Sequence, residues 1–404
     1  MNPKLLPDKK EALNNLYNVW KPDIRTEMVD ITEAIGRVTA ADLFSINTLP
    51  KVRASMADGV AVISERFSNG IPDISQWRIG TDFVRADTGD DFDDRYDAVI
   101  RIEDVILDEK GGIKFRDEVS VTKGMNVTKR GNLIKEGDLL IKKGMKIRPT
   151  DLAALAIGGI VQIPVYPKPV VAFIPTGSEL IPMGTIPERG QNIDSNSIMA
   201  KHMLIEMGAQ PICYPIVKDS PADLETTLKA AIKTADIVII NGGSSKGAED
   251  FNVHLIKKMG KVICHGIAAA PGKPMCLAVI EGKAVINLPG PSVAAFYGLD
   301  WCVRSVVNYY LGLPIICREK IKGILTEDMH FPKFMEFLSR VNVSKNEDGT
   351  YNVKPVSFKT SGFASCLSTN ALYISKIGES EYRAGDSIEV ELLRSREFLK
   401  DCTE

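Results

Sequence analysis

From Lys168 to Gly312, short β-branched runs alternate with helical stretches, and glycine recurs in the loops that follow the runs. The runs cover 170–174, 212–216, 237–240, 262–265 and 284–287. Each is apolar and too brief for a helix, which is how a strand buried on both faces reads. Strands alternating with helices need crossover connections, so this stretch predicts a parallel α/β sheet with ligands at the carboxyl ends of its strands. One helix start is signalled three ways. Ser220-Pro-Ala-Asp223 supplies a capping serine, a proline in the first turn and an acid three residues after the cap.

The loop after the third run reads Asn241-Gly-Gly-Ser-Ser-Lys-Gly-Ala-Glu-Asp250. Gly242 and Gly243 let backbone N–H groups approach an anion, while Ser244, Ser245 and Lys246 add donors and positive charge. Asp250 then sets a carboxylate opposite those donors. Anion cradle plus acid suggests a phosphate held with a divalent metal. A glycine pair also makes an ordinary turn, and both readings stand.

Four further loops are expected at the same sheet edge. Ile174-Pro-Thr-Gly-Ser-Glu-Leu180 puts Thr176, Gly177 and Glu179 just past a strand. Asp194-Ser-Asn-Ser197 precedes a helix, so Asp194 and Asn196 either help bind an anion or simply cap it. Ala270-Pro-Gly-Lys-Pro274 holds Gly272 and Lys273 between prolines, fixing a positive charge suited to phosphate or oxyanion, unless the lysine is merely solvated. Leu288-Pro-Gly-Pro-Ser292 puts Pro289, Gly290 and Ser292 at the head of a helix expected over 293–311.

A chain of 404 residues exceeds one core, so several domains are expected. Residues 41–130 read as a small β-rich domain, and the chain after Leu313-Pro314 returns to short strands that suit a barrel or sandwich. Asp58, in Ser55-Met-Ala-Asp-Gly-Val-Ala-Val62, and Thr88, in Thr88-Gly89, lie in the β-rich part, where Asp-Gly also makes plain hairpin turns. Capping boxes at Asp8–Glu11 and Asp30–Glu33 announce two helices, the first over 11–20. A net charge of −2 argues against nucleic acid as the main ligand, and no apolar run is long enough to span a membrane. Seven dispersed cysteines without a Cys-x-x-Cys pair, and a start lacking a signal peptide, point to a reducing cytoplasm. Only four histidines are available, so carboxylates, lysines and loop backbone must carry the chemistry.

In order along the chain, these segments resemble the molybdopterin molybdenumtransferase family, which includes MoeA and the E domain of gephyrin. The similarity runs over roughly 8–395 by eye. Its motifs appear as Ala34-Ile-Gly-Arg-Val-Thr-Ala40, Ser55-Met-Ala-Asp-Gly-Val-Ala-Val62, Pro-Thr-Gly-x-Glu-Leu at 175–180 and Asp-x-Asn at 194–196. Gly-Gly-x-Ser-x-Gly follows at 242–247, Pro-Gly-Lys-Pro at 271–274, and Ser361-Gly362 precedes Thr369-Asn-Ala-Leu372.

The resemblance implies a multidomain α/β fold with a discontinuous helical linker domain (1–40 plus 131–167) and a small β-domain (41–130). A parallel α/β molybdopterin-binding domain (168–316) and a C-terminal β-barrel (317–404) follow. It implies insertion of molybdenum from molybdate into adenylated molybdopterin, with Mg²⁺ and release of AMP. Glu179, Asp219 and Asp250 are then the implied metal ligands, Lys273 and loop N–H groups the neutralisers of anionic charge. Asp58 and Thr88 would reach the cleft from the small β-domain, across a homodimer. A molybdopterin adenylyltransferase and acceptor molybdoenzymes become expected partners. The chain departs from the family's pattern at Leu133, at Ala270, and in Leu288-Pro-Gly-Pro-Ser-Val-Ala294. These departures motivate an alternative: a catalytically altered paralogue that binds a pterin or nucleotide as carrier or sensor.

Overall fold

The computed structural model describes residues 6–108, 112–116, 119–242, 251–315, 317–356 and 369–399. Two compact units emerge, one from residues 1–25 with 167–404 and the other from 26–166.

In the smaller unit, Gly59–Val62 is the central strand of an antiparallel sheet, flanked by Val84–Ala86 and Ala98–Arg101. Alternation along these strands places Val60, Val62, Phe83 and Ile100 in one core and Ala61, Tyr96 and Val99 in another. Glu27–Asp30 and Val38–Thr39 pair on either side of Gln162–Tyr166, so segments from both ends of this unit close into one sheet. The helix Pro149–Ile157 seals that sheet's core with the fully buried Leu155. The second capping box delivers a single turn, Ile31–Glu33, in which Asp30 accepts from the Thr32 N–H.

The larger unit begins with helix α1 (Lys9–Val19), whose Asp8 side chain accepts from the Glu11 N–H as its capping box requires. Its α/β elements are β1 (Val170–Pro175), α2 (Asn196–Met207), β2 (Gln210–Cys213), α3 (Pro221–Thr234), β3 (Ile237–Asn241), α4 (Phe251–Met259), β4 (Lys261–His265), β5 (Cys276–Ile280), β6 (Lys283–Leu288), α5 (Ser292–Tyr297) and α6 (Arg304–Leu311). The sheet order is β2-β1-β3-β6-β5-β4, with β2, β1, β3 and β6 mutually parallel.

Three sequence expectations change here. The run at 212–216 pairs only over 210–213, before the chain turns towards Pro215. The sheet is mixed, because β5 runs antiparallel to both β6 and β4. The cause is a two-residue turn in which Glu281 and Gly282 both take positive φ, 47° and 76°, the geometry that matches the twist of a tight hairpin. The helix expected over 293–311 is α5 and α6 joined by a π-helical turn at Gly298–Val303.

Burial follows the helical period. Leu224, Leu228, Ala231 and Ile232 of α3 lie on one face and pack with Ala172, Ile174, Val238 and Ile240 of the sheet. Helix α1, placed by the sequence with the discontinuous domain, packs on β4 and β5 of the larger unit. Its apolar stripe explains this, since Ala12, Leu13, Leu16 and Trp20 are all buried. The C-terminal strands close on themselves in the order 336–345, 351–355, 320–325, 387–392, 371–375 and back to 336–345, a five-stranded barrel. Ala269–Ala270 adds to it in parallel alongside Glu336–Phe337. Among the described residues, no helix is long and apolar enough to cross a membrane.

Candidate functional site

The parallel strands end in loops along one edge, and short hydrogen bonds tie those loops to one another. Leaving β1, the Thr176 N–H donates to the Asn241 carbonyl (2.8 Å) and the Gly177 N–H to the Val217 carbonyl (3.0 Å). The Asp219 carboxylate accepts from the Ser178 N–H (3.1 Å), while the Ser178 hydroxyl accepts from the Asp219 N–H (3.0 Å). This reciprocal pair brings Asp219 to the loop that carries Glu179, and both side chains are exposed to solvent. The Glu179 carboxylate in turn lies over Gly177, where a Cβ would meet it at 2.7 Å.

The head of α2 sits beside the head of α5. The Ser195 and Ser292 hydroxyls are 3.4 Å apart. Asp194 accepts from the Ser197 N–H (3.0 Å) and hydroxyl (2.5 Å), so its carboxylate caps α2. Asn196 turns inward. Its Nδ2 donates to Asn241 Oδ1 and to the Gly290 carbonyl, both at 2.8 Å. Asn241 Nδ2 then donates to the Pro289 carbonyl at 2.7 Å. Pro289 and Gly290 thus meet the protein through their carbonyls.

Gly242 begins the glycine-rich segment under tight constraint. Its φ is +134°, and a Cβ there would lie 2.2 Å from the Thr176 carbonyl, so only glycine fits. Its N–H donates to the Leu288 carbonyl (3.0 Å), and its carbonyl accepts from Asn252 Nδ2 (3.0 Å). Asn252 also donates to Asn287 Oδ1 at 3.1 Å. Gly243, Ser244, Ser245, Lys246 and Asp250 lie outside the described residues.

Lys273 reaches the same edge by another route. Strand β4 runs parallel to β6 because both flank the antiparallel β5, so the loop from β4 to β5 emerges with the other loops. Gly272, buried and at φ +124°, turns the chain there, and the Lys273 carbonyl accepts from the Ile267 N–H (2.9 Å).

In the smaller unit, Asp58 and Thr88 meet although thirty positions separate them. The Thr88 N–H donates to Asp58 Oδ1 at 2.7 Å, and this bond, with help from the Thr88 side chain, holds the Asp58 carboxyl below its ordinary range. Asp58 stands at the head of the central strand, with its carbonyl bonded to the Ile102 N–H, rather than in a two-residue turn. Gly59 beside it is required by close packing, since a Cβ would fall 1.9 Å from the Ile100 carbonyl.

The sequence reading missed Asn241, Asn252 and Asn287, which are 2%, 0% and 0% exposed. For Asn241 and Asn287 the signal was present, an uncharged amide at or near the end of an otherwise apolar strand, as in Ile237-Val-Ile-Ile-Asn241 and Ala284-Val-Ile-Asn287, whereas Asn252 lies in the first turn of α4. Four atoms of this edge are buried without a hydrogen-bond partner among the described residues: Thr176 Oγ1, Asn196 Oδ1, Asn252 Oδ1 and Asn287 Nδ2. Unpaired buried polar groups cost about 1–3 kcal/mol each, and such costs concentrate where function needs them. Among the described residues, no three His, Cys, Asp or Glu side chains gather as a metal-holding group.

Known proteins match this chain over nearly its whole length. Residues 8–159 match the MoeA N-terminal region (domain I and II), 172–309 a probable molybdopterin binding domain, and 322–393 the MoeA C-terminal region (domain IV). A molybdopterin molybdenumtransferase of Haemophilus influenzae is 28% identical over 91% of this chain and 94% of its own. That of Bacillus subtilis is 29% identical over 95% and 93%. The solved molybdopterin biosynthesis MoeA protein from Pyrococcus horikoshii superposes with a TM-score of 0.80 at 25% identity, covering 96% of this chain and 100% of that one. With three consecutive regions of one family matched in order on the fold described above, the chain belongs to the molybdopterin molybdenumtransferase family of MoeA type.

Proposed function

We propose that the protein is a molybdopterin molybdenumtransferase of molybdenum cofactor biosynthesis, inserting molybdenum from molybdate into adenylated molybdopterin with release of AMP. The observation that carries this reading is the convergence of the loops after β1, β3 and β6 and the head of α2 on one edge, joined through Asn241 and Asn196. The relatives that match over nearly the whole chain bear this activity in their names. They lend no support to the carrier or sensor alternative.

Within this reading, Thr176, Gly177, Asn196, Gly242, Pro289, Gly290 and Ser292 shape the ligand edge, and Asp194 holds the head of α2 open towards it. Gly243, Ser244, Ser245 and Lys246 would supply donors to phosphate, and Gly272 presents Lys273 as a fixed positive charge. Glu179 and Asp219 fit Mg²⁺ by donor chemistry: both are solvent-facing carboxylates on adjacent loops, offering the hard oxygen ligands that ion takes. With Asp250 they would hold it, and bound Mg²⁺ would offset the charge of the phosphate bridge. Asp58 and Thr88 form one preassembled unit whose ionised carboxylate would contribute across a homodimer. We further infer the four-domain division drawn from the sequence, amended so that helix α1 goes with the α/β domain on which it packs, together with a cytoplasmic setting and hand-over partners in an adenylyltransferase and acceptor molybdoenzymes.

The chemistry assigned to the loops is tested by Asp250→Ala and Lys273→Ala. Each is expected to lower molybdate-dependent AMP release by about 10²–10³-fold with the melting temperature retained. Near-normal turnover in both variants would remove the assignment.

A further inference from the structure

We propose that Asn241 is a positioning residue, which fixes the relative placement of three ligand loops by binding each through a different group. Its backbone carbonyl accepts from the Thr176 N–H at 2.8 Å. Its Oδ1 accepts from Asn196 Nδ2 at 2.8 Å, and its Nδ2 donates to the Pro289 carbonyl at 2.7 Å. These partners belong to the loop after β1, the head of α2 and the loop after β6. One side chain thus spans elements that lie 45 and 48 residues away along the sequence.

The placement argues against an incidental core amide. Ile237, Val238, Ile239 and Ile240, the rest of the strand, are all 0% exposed, and an aliphatic residue would continue that pattern. A buried amide instead carries a desolvation cost that is offset only when donor and acceptor are both used. Here both are. A leucine of similar shape fills the space but leaves the Pro289 carbonyl without this donor and Asn196 without this acceptor. A serine is too short to engage both loops at once. Asn196 reinforces the arrangement by bonding the Gly290 carbonyl with the same Nδ2 (2.8 Å), closing a ring through Asn241, Pro289 and Gly290. Loops fixed in this way are organised before the ligand arrives, so less ordering is left for binding to overcome. The ligand consequence rests on the transferase reading; the loop placement does not.

Hydrogen exchange decides the matter in the ligand-free protein. In Asn241→Leu and Asn241→Ser, amides of residues 192–197 and 288–294 are expected to exchange about tenfold faster, the effect of losing roughly one hydrogen bond. Residues 221–234 and 237–240 should keep their protection, which separates a local effect from general unfolding. The dissociation constant for adenylated molybdopterin should rise about tenfold, with a smaller change in the rate of AMP release at saturation. Wild-type exchange in both loops of either folded variant would overturn the proposal. Should the wild type release no AMP, the transferase reading fails, and loop exchange still decides the role of Asn241.

Discussion

Asp58 and Thr88 show what a single contact adds to a motif. Nothing local links them, yet folding sets the Thr88 N–H 2.7 Å from the Asp58 carboxylate. An aspartate whose folded pKa lies below its unfolded value contributes stability above that unfolded value and loses it as pH falls through the folded one. The Thr88 amide resonance is therefore expected to titrate with an apparent pKa below the ordinary 3.8 of aspartate. A midpoint at or above 3.8 would contradict the contact. Charged and hydroxyl residues at loop positions were the ones the sequence made visible. Asn241, Asn252 and Asn287 were not read as site residues, because an uncharged amide in a strand or helix reveals its role only once its burial and partners are known. Asp194 was ambiguous between ligand and cap, and its bonds to Ser197 show it acting as a cap.

Periodicity and caps revealed the elements better than their partners. The serine, proline and acid before α3 delivered the helix as read, with Ser220 accepting from the Asp223 N–H. Strand β5 escaped notice because its direction depends on the Glu281-Gly282 turn, and glutamate rarely signals positive φ. Helix α1 was legible as a helix, but its packing face depends on residues more than two hundred positions away. Besides its apolar stripe, Tyr17 stacks on Tyr309 with ring centroids 4.0 Å apart, and Lys9 pairs with Glu336 at 2.5 Å. Leu16, fully buried, is expected on truncation to alanine to cost about 2–5 kcal/mol in a denaturant titration that reports the larger unit. A loss below about 0.5 kcal/mol would mean that α1 is dispensable to that unit's core.

At the scale of the molecule, the same logic separates fold from chemistry. Alternating strands and helices announced the α/β sheet and the edge on which its loops gather, and the late β runs resolved into a closed five-stranded barrel. The departures from the family's pattern read differently once placed. Ala270 is paired with Phe337 at the margin of the barrel, and the altered Pro-Gly-Pro loop still meets Asn241 and Asn196 through its carbonyls. Neither change dismantles the edge. The most direct measurement is AMP release from adenylated molybdopterin by the purified full-length protein, with and without molybdate, in the presence of Mg²⁺. A molybdenumtransferase should release AMP in step with molybdate and leave molybdenum bound to the pterin. Tight binding of the adenylated pterin without molybdate-dependent AMP release, beside an active relative under the same conditions, would contradict that function.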